Sequence, residues 1–191
     1  VLFDNQFNDV DDIDWFYGNM EFVNTGGLFF GTDDTTFSPD ILMTRYMFVT
    51  VLYRLAGNPD TSELPQNFTD VAADAYYANA VKWAAANGIT NGTSADRFSP
   101  EDSITREQAV TFFYNFAKAM GVISDEQDDS PAFEDMDTVS PWALDALRYC
   151  ADAGIILGKP GNLFDPKAKA SRAEVAAMFE RFVLLLAGRK S

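Results

Sequence analysis

The sequence contains no histidine. That removes the commonest general base and the commonest metal ligand together. It has one cysteine, Cys150, so no intrachain disulfide can form. Cys150 lies in the run Ala146-Leu147-Arg148-Tyr149-Cys150-Ala151 and is expected to be a packed core thiol, because free cysteine is among the most buried residue types. Basic residues are scarce: 14 Lys and Arg stand against 29 Asp and Glu, a net charge of −15. Nucleic-acid binding needs a basic face to neutralise phosphates, and this composition argues against one. An anionic membrane surface would repel the chain. Long hydrophobic runs are also missing. The longest, 182–187, is six residues, against roughly 20 for a membrane span. No Gly-x-Ser-x-Gly elbow or phosphate loop is present. No charged and apolar leader opens the chain, so any secretion signal is expected to lie outside the sequence, upstream of Val1.

What is present is apolar bulk and repetition. Of the 191 residues 47% are hydrophobic, and 17 are Phe, which suggests a core built on aromatic rings. Phe7-Asn8-Asp9-Val10, Phe68-Thr69-Asp70-Val71 and Phe133-Glu134-Asp135-Met136 open three similar segments. The first two align without a gap at an offset of 61 residues (7 to 68). The third follows at 65 and slips to 66 after one extra residue in the 137–141 loop. Trp15, Tyr76 and Trp142 come next, then Gly27, Gly88 and Gly154, then Gly31, Gly92 and Gly158. Phe37-Ser38-Pro39, Phe98-Ser99-Pro100 and Phe164-Asp165-Pro166 follow, and Thr44-Arg45, Thr105-Arg106 and Ser171-Arg172 close each set. Three copies in one order define repeats over 7–57, 68–121 and 133–187 of a single 1–191 domain.

Each copy reads as helix, loop, helix, which makes the fold class all-α. In copy two Val81, Ala84 and Ala85 share a face, and the spacing predicts a first helix over about 76–87. In copy three Ser140-Pro141 offers a capping serine and a first-turn proline. Gly88 and its counterparts sit where a helix can end in a left-handed residue. The second helix begins at Thr44, Thr105 or Ser171 and carries more apolar residues, such as Phe112, Phe113 and Phe116, than a helix pair can bury. Three units must therefore share a core. The segments 58–67 and 122–132, rich in Pro, Asp, Ser and Asn, read as short linkers.

The ordered set is similar to the S-layer homology repeat. Copy two carries it most clearly, as Gly88-Ile89-Thr90-Asn91-Gly92, Phe98-Ser99-Pro100 and Ile104-Thr105-Arg106-Glu107-Gln108. The resemblance covers the chain from about Phe7 to Leu186. It implies a pseudo-threefold, spindle-like helical domain with grooves between repeats. It implies binding to a secondary cell-wall polysaccharide, often bearing pyruvate ketals, on the bacterial surface, with the rest of a parent surface protein as cargo. The family's Thr-Arg-Ala-Glu motif appears as Thr44-Arg45-Tyr46-Met47, Thr105-Arg106-Glu107-Gln108 and Ser171-Arg172-Ala173-Glu174. Copy one, with Met47 and with Phe29-Phe30 beside its turn, departs furthest, and its groove is expected to be the weakest.

The Thr-x-x-Glu pattern has a structural reading as a capping box, full in copies two and three and half-formed in copy one. The arginines are different. A cation in the first helical turn opposes the helix dipole, at a cost of roughly 0.3–1 kcal/mol, and three copies accept it. Arg45, Arg106 and Arg172 are therefore expected to meet an anion. A ligand carboxylate at the free helix amides is favoured over an internal pair with Asp40, Glu101 or Asp9, Asp70 and Asp135. Those three aspartates either brace the start of the first helix or accept sugar hydroxyls, with bracing favoured. Trp15, Tyr76 and Trp142 either pack in the core, the favoured place, or stack on a sugar. Gly31, Gly92 and Gly158 mark a turn, and glycine there would also let a ligand approach the backbone. Against an enzyme stand the missing histidine and the buried cysteine. Against a calcium loop at Asp9-Val10-Asp11-Asp12-Ile13-Asp14 stand the absent glycine and closing glutamate. A helical repeat array that binds protein and no glycan is the alternative.

Overall fold

The computed structural model describes residues 3–123 and 132–188; most of the expected second linker, 124–131, lies outside the described residues. Copy one contains α1 (Tyr17–Thr25) and α2 (Arg45–Leu55), and copy two contains α3 (Ala78–Ala86) and α4 (Arg106–Ala119). Copy three contains α5 (Leu144–Asp152) and α6 (Arg172–Gly188). Two short 3-10 turns, Met136–Thr138 and Pro141–Ala143, precede α5. Among the described residues there is no strand, only isolated bridges between loops. The fold is all-α.

Local chemistry sets the helix ends. Gly27, Gly88 and Gly154 adopt φ of +67° to +69°. The residue after each donates five residues back, Leu28 to Val23, Ile89 to Ala84 and Ile155 to Cys150, at 2.8–2.9 Å. This is a left-handed helix stop that a residue with a Cβ would resist. Thr105 and Gln108 form the complete capping box, and so do Ser171 and Glu174. Thr44 accepts from the Met47 amide alone. Ser140 departs from expectation. Its hydroxyl caps nothing, because its amide and Oγ both bond the buried Glu107 carboxylate, at 3.0 and 3.1 Å, and that carboxylate also holds Lys167.

The helices pair across copies, not within them. The first helix of each copy lies on the second helix of the copy before: α3 on α2, α5 on α4 and α1 on α6. The last of these pairings closes a ring. Around the pseudo-threefold axis the backbones join in a cycle, with Ile104 donating to Met43, Ala170 to Ile104 and Met43 to Ala170, at 2.8–3.3 Å. Beneath it Phe48, Phe113 and Phe179 meet with centroids 4.8–5.0 Å apart, Phe113 edge to face with both others and Phe48 tilted against Phe179. These are not equivalent positions: Leu52 stands where Phe113 and Phe179 do, and Phe48 stands one turn earlier. One large ring per copy fills the axis, which is why no single helix pair could bury these faces. Cys150 is fully buried, with its thiol on the Val110 carbonyl at 3.6 Å, and burial pushes its pKa up.

Candidate functional site

The same cyclic logic builds the arginine positions. The first two amides of α2 donate to Asp102 and Pro100 of copy two, those of α4 to Ala168 and Pro166 of copy three, and those of α6 to Ile41 and Pro39 of copy one. The third amide goes to the capping hydroxyl. The free helix amides expected to attract an anion are therefore occupied by the neighbouring copy.

Arg45, Arg106 and Arg172 are only 3–6% exposed. Within the protein their hydrogen-bond partners are backbone carbonyls, not the aspartates and glutamates of the less favoured internal-pair reading. Each Nε donates to a carbonyl of the next copy's Phe-x-Pro loop: Arg45 to Phe98 at 2.9 Å, Arg106 to Phe164 at 2.6 Å and Arg172 to Phe37 at 2.9 Å. Each guanidinium also lies 4.8–5.3 Å from the centre of that phenylalanine ring. Burial pulls the pKa of Arg45 and of Arg172 down to about 10 and lowers that of Arg106. Asp102 and Asp70 oppose the shift at Arg45, and all three arginines stay charged at neutral pH.

The terminal nitrogens separate the three. Arg106 donates through Nη2 to Leu157 at 3.1 Å, and Arg172 to Phe30 at 2.8 Å. Among the described residues the terminal nitrogens of Arg45 bond nothing. The turn that would supply the equivalent carbonyl, at Asn91, differs in shape: Gly92 has φ +79°, while Gly31 and Gly158 are not left-handed.

Two grooves are each assembled from all three copies. One cavity, of about 620 Å³, is lined by Arg45 of copy one, by Thr90, Asn91, Gly92, Thr93, Gln108, Thr111 and Asn115 of copy two, and by Trp142 of copy three. The corresponding cavity of about 250 Å³ joins Arg172, Gly31 and Tyr76. Its walls are Met43, Met47, Val51, Phe29 and Phe30 together with Thr32 and Thr50, and Arg54 lies 4.5 Å under the Phe30 ring. The copy-one loop thus lines the smaller cavity, and the arginine of that groove is Arg172. Arg45 belongs to the larger one. Arg106 reaches the Leu157-Gly158 turn, and pseudo-symmetry sets Trp15 across from it.

Trp15, Tyr76 and Trp142 are 66%, 72% and 57% exposed, so the favoured core placement is corrected. They precede their helices by one residue or more, and the core instead takes the residue after each, Phe16, partly Tyr77, and Ala143. Tyr76 also stands edge-on to Tyr46, which stacks on Tyr77 at 4.4 Å. Asp9, Asp70 and Asp135 brace the structure, but not at the first helix. Each carboxylate accepts two amides of the Phe-x-Pro loop: Phe37 and Ser38, Phe98 and Ser99, Phe164 and Asp165, all at 2.7–2.9 Å. Burial pushes the Asp70 pKa up, yet these amides and Arg97 carry it below the ordinary carboxylate value. At Gly31 and Gly92 an added Cβ would fall 2.2 Å from the Asp33 carbonyl oxygen and 2.4 Å from that of Arg97, and at all three glycines it would also fall 2.6–3.0 Å from the ring of Phe7, Phe68 or Phe133. Sequence reasoning missed the polar wall of α4. Gln108, Thr111 and Asn115 recur at i, i+3 and i+7, a polar stripe inside an aromatic helix that was legible as a binding face.

Comparison with known proteins decides the family. The S-layer homology domain model matches three times, over residues 6–45, 67–110 and 132–176. The chain belongs to the S-layer homology domain family. An amylopullulanase of Thermoanaerobacterium thermosulfurigenes is 32% identical over 92% of this chain and 9% of its own length. The Surface-layer 125 kDa protein of Lysinibacillus sphaericus is 33% identical over 61% of this chain and 10% of its own. The cellulosome-anchoring protein of Acetivibrio thermocellus is 27% identical over 76% and 33%. This S-layer homology chain thus spans between about a tenth and a third of the length of these relatives.

Proposed function

We propose that this S-layer homology domain is a non-catalytic module that holds a longer surface protein on the bacterial cell wall by binding a secondary cell-wall polysaccharide. Its place is the extracellular face of the wall. The rest of the parent protein is the cargo. Membership in the family and relatives named for surface layers and for anchoring support the anchoring role. The chain matches only a small part of the amylopullulanase, so that protein's activity is not transferred to it.

The observation that carries the ligand reading is the groove of Arg45. Its terminal N–H groups bond no described protein atom, and a cavity of about 620 Å³ lies in front of them. Gln108 accepts the Thr105 amide on its side-chain oxygen, which leaves its side-chain NH2 free to donate, and Asn115 donates its NH2 to the Ile89 carbonyl, which leaves its oxygen free to accept. Those groups suit sugar hydroxyls. Trp142 at the mouth offers a ring face to a pyranose. A guanidinium with parallel donors selects a carboxylate, such as a pyruvate ketal on the glycan. The net charge of −15 makes a local cation necessary for an anionic polymer.

The test is sedimentation with cell-wall sacculi, native or stripped of the secondary polymer, followed by calorimetry on the isolated polymer. Binding is expected to native sacculi only, and Trp142→Ala should weaken it at least tenfold with an unchanged melting midpoint. Equal binding to stripped sacculi would overturn the polysaccharide reading. Binding to wall protein alone would favour the interaction array.

A further inference from the structure

The three cross-copy helix interfaces are built alike, except the one that closes the ring. Where α3 meets α2, Tyr53 lies 5.6 Å from Trp83, and where α5 meets α4, Tyr114 lies 5.5 Å from Tyr149. The first-helix residue one turn before the ring is alanine in both, Ala80 and Ala146, and the neighbouring outer position is basic, Lys82 and Arg148. At the closing interface, α1 on α6, all three positions change. Glu180 replaces the tyrosine, Asn19 replaces the alanine and Glu21 replaces the basic residue, leaving Phe22 without a partner ring from α6. The Asn19 amide donates to Glu180 Oε2, which aims that carboxylate. The space a tyrosine would fill is open: a cavity of about 550 Å³, lined by Glu21, Phe22, Leu28, Leu55, Glu180 and Val183.

We propose that this cavity is a second binding site, distinct from the inter-repeat grooves, for an arginine or lysine side chain presented by a partner polypeptide. Two carboxylates flank an apolar floor, which matches an aliphatic stem ending in a cation. The exposed face of Phe22 suits a guanidinium plane. Simple loss of a tyrosine would not explain it, because three positions change together and two gain a carboxylate where the other copies are aromatic or basic. Gly18 stands where the other copies carry Asn79 and Asp145, and a Cβ added there would meet nothing within 4 Å, so the rim is open. The site shares no residue with the Arg45 groove and does not depend on the glycan reading.

The experiment is methyl NMR on the full chain titrated with the peptide acetyl-Leu-Arg-Leu-Arg-amide and with its citrulline counterpart. The arginine peptide is expected to shift the methyls of Leu28, Leu55 and Val183 saturably, and the citrulline peptide at least tenfold more weakly. Glu180→Gln should lose the effect while keeping the fold. Glu180→Tyr, which rebuilds the ring pair, should abolish it and leave polysaccharide binding unchanged. Equal shifts from the citrulline peptide, or shifts scattered over the acidic surface and unaffected by Glu180→Gln, would overturn the proposal.

Discussion

Replacing each helix-start arginine by alanine should reveal a brace whose strength differs between copies. In Arg45→Ala one charge-assisted bond to Phe98 is lost, about 1.5–3 kcal/mol. Contact with the rings of Phe98 at 4.8 Å and Phe112 at 5.3 Å goes with it, about 0.5–2 kcal/mol. Release of a buried cation from its desolvated site offsets part of this, which leaves a net loss of about 3 kcal/mol. For a chain of this size that is a fall of about 6–12 °C in melting midpoint. Arg106→Ala and Arg172→Ala each lose a further bond, to Leu157 and to Phe30, worth about 1.5 kcal/mol more and a further ~3–6 °C. The expected order of damage is therefore Arg106 and Arg172 ahead of Arg45. Thermal melts followed by far-ultraviolet circular dichroism measure it. Calorimetry well below the midpoints should give the opposite order for polysaccharide, Arg45→Ala losing most. A midpoint for Arg45→Ala within about 2 °C of the unaltered chain would refute the brace. A loss at Arg45 exceeding both others would refute the assignment of its terminal nitrogens to the groove.

The Asp70 carboxylate is held below its ordinary pKa of 3.8, so the folded state binds fewer protons there than the unfolded chain. Its contribution is complete above pH ~4 and is lost as pH falls through the folded value; Asp70→Asn should lower the neutral-pH midpoint by about 1.5–3 kcal/mol equivalent and flatten the acid limb of a pH–stability curve. Gly92→Ala must place a Cβ 2.4 Å from the Arg97 carbonyl oxygen and 2.6 Å from the Phe68 ring at φ +79° and is expected to cost about 2–4 kcal/mol, whereas Gly158→Ala, with 3.0 Å to Phe133, should cost about 1; chemical denaturation of the two variants compares them. The ring of backbone bonds through Met43, Ile104 and Ala170 ties every copy to both others, so calorimetry should record one unfolding transition; separate transitions for the copies would contradict this.

The repeat order, the helical class, the glycine stops and the capping boxes were legible in the sequence, because each depends on residues within about five positions of one another. Gly88 needs only its own helix to demand a left-handed turn, and Thr105 needs only Gln108. The family was legible for the same reason: its motifs are short and come in a constant order. What tertiary structure decided is which copy completes which. A helix-start amide looks free until Asp102 of the next copy takes it, and an arginine looks like an anion receptor until Phe98 of that copy presents a carbonyl. Trp142 looked like core material because nothing local says that the core is filled by Ala143 and its neighbours, leaving the indole at the mouth of another copy's groove. Copies one and two differ at Met47 and Gln108, yet neither residue faces its own copy's arginine. Sequence spacing measures distance along one chain, and these grooves are set by a cyclic closure that joins residues up to 161 positions apart.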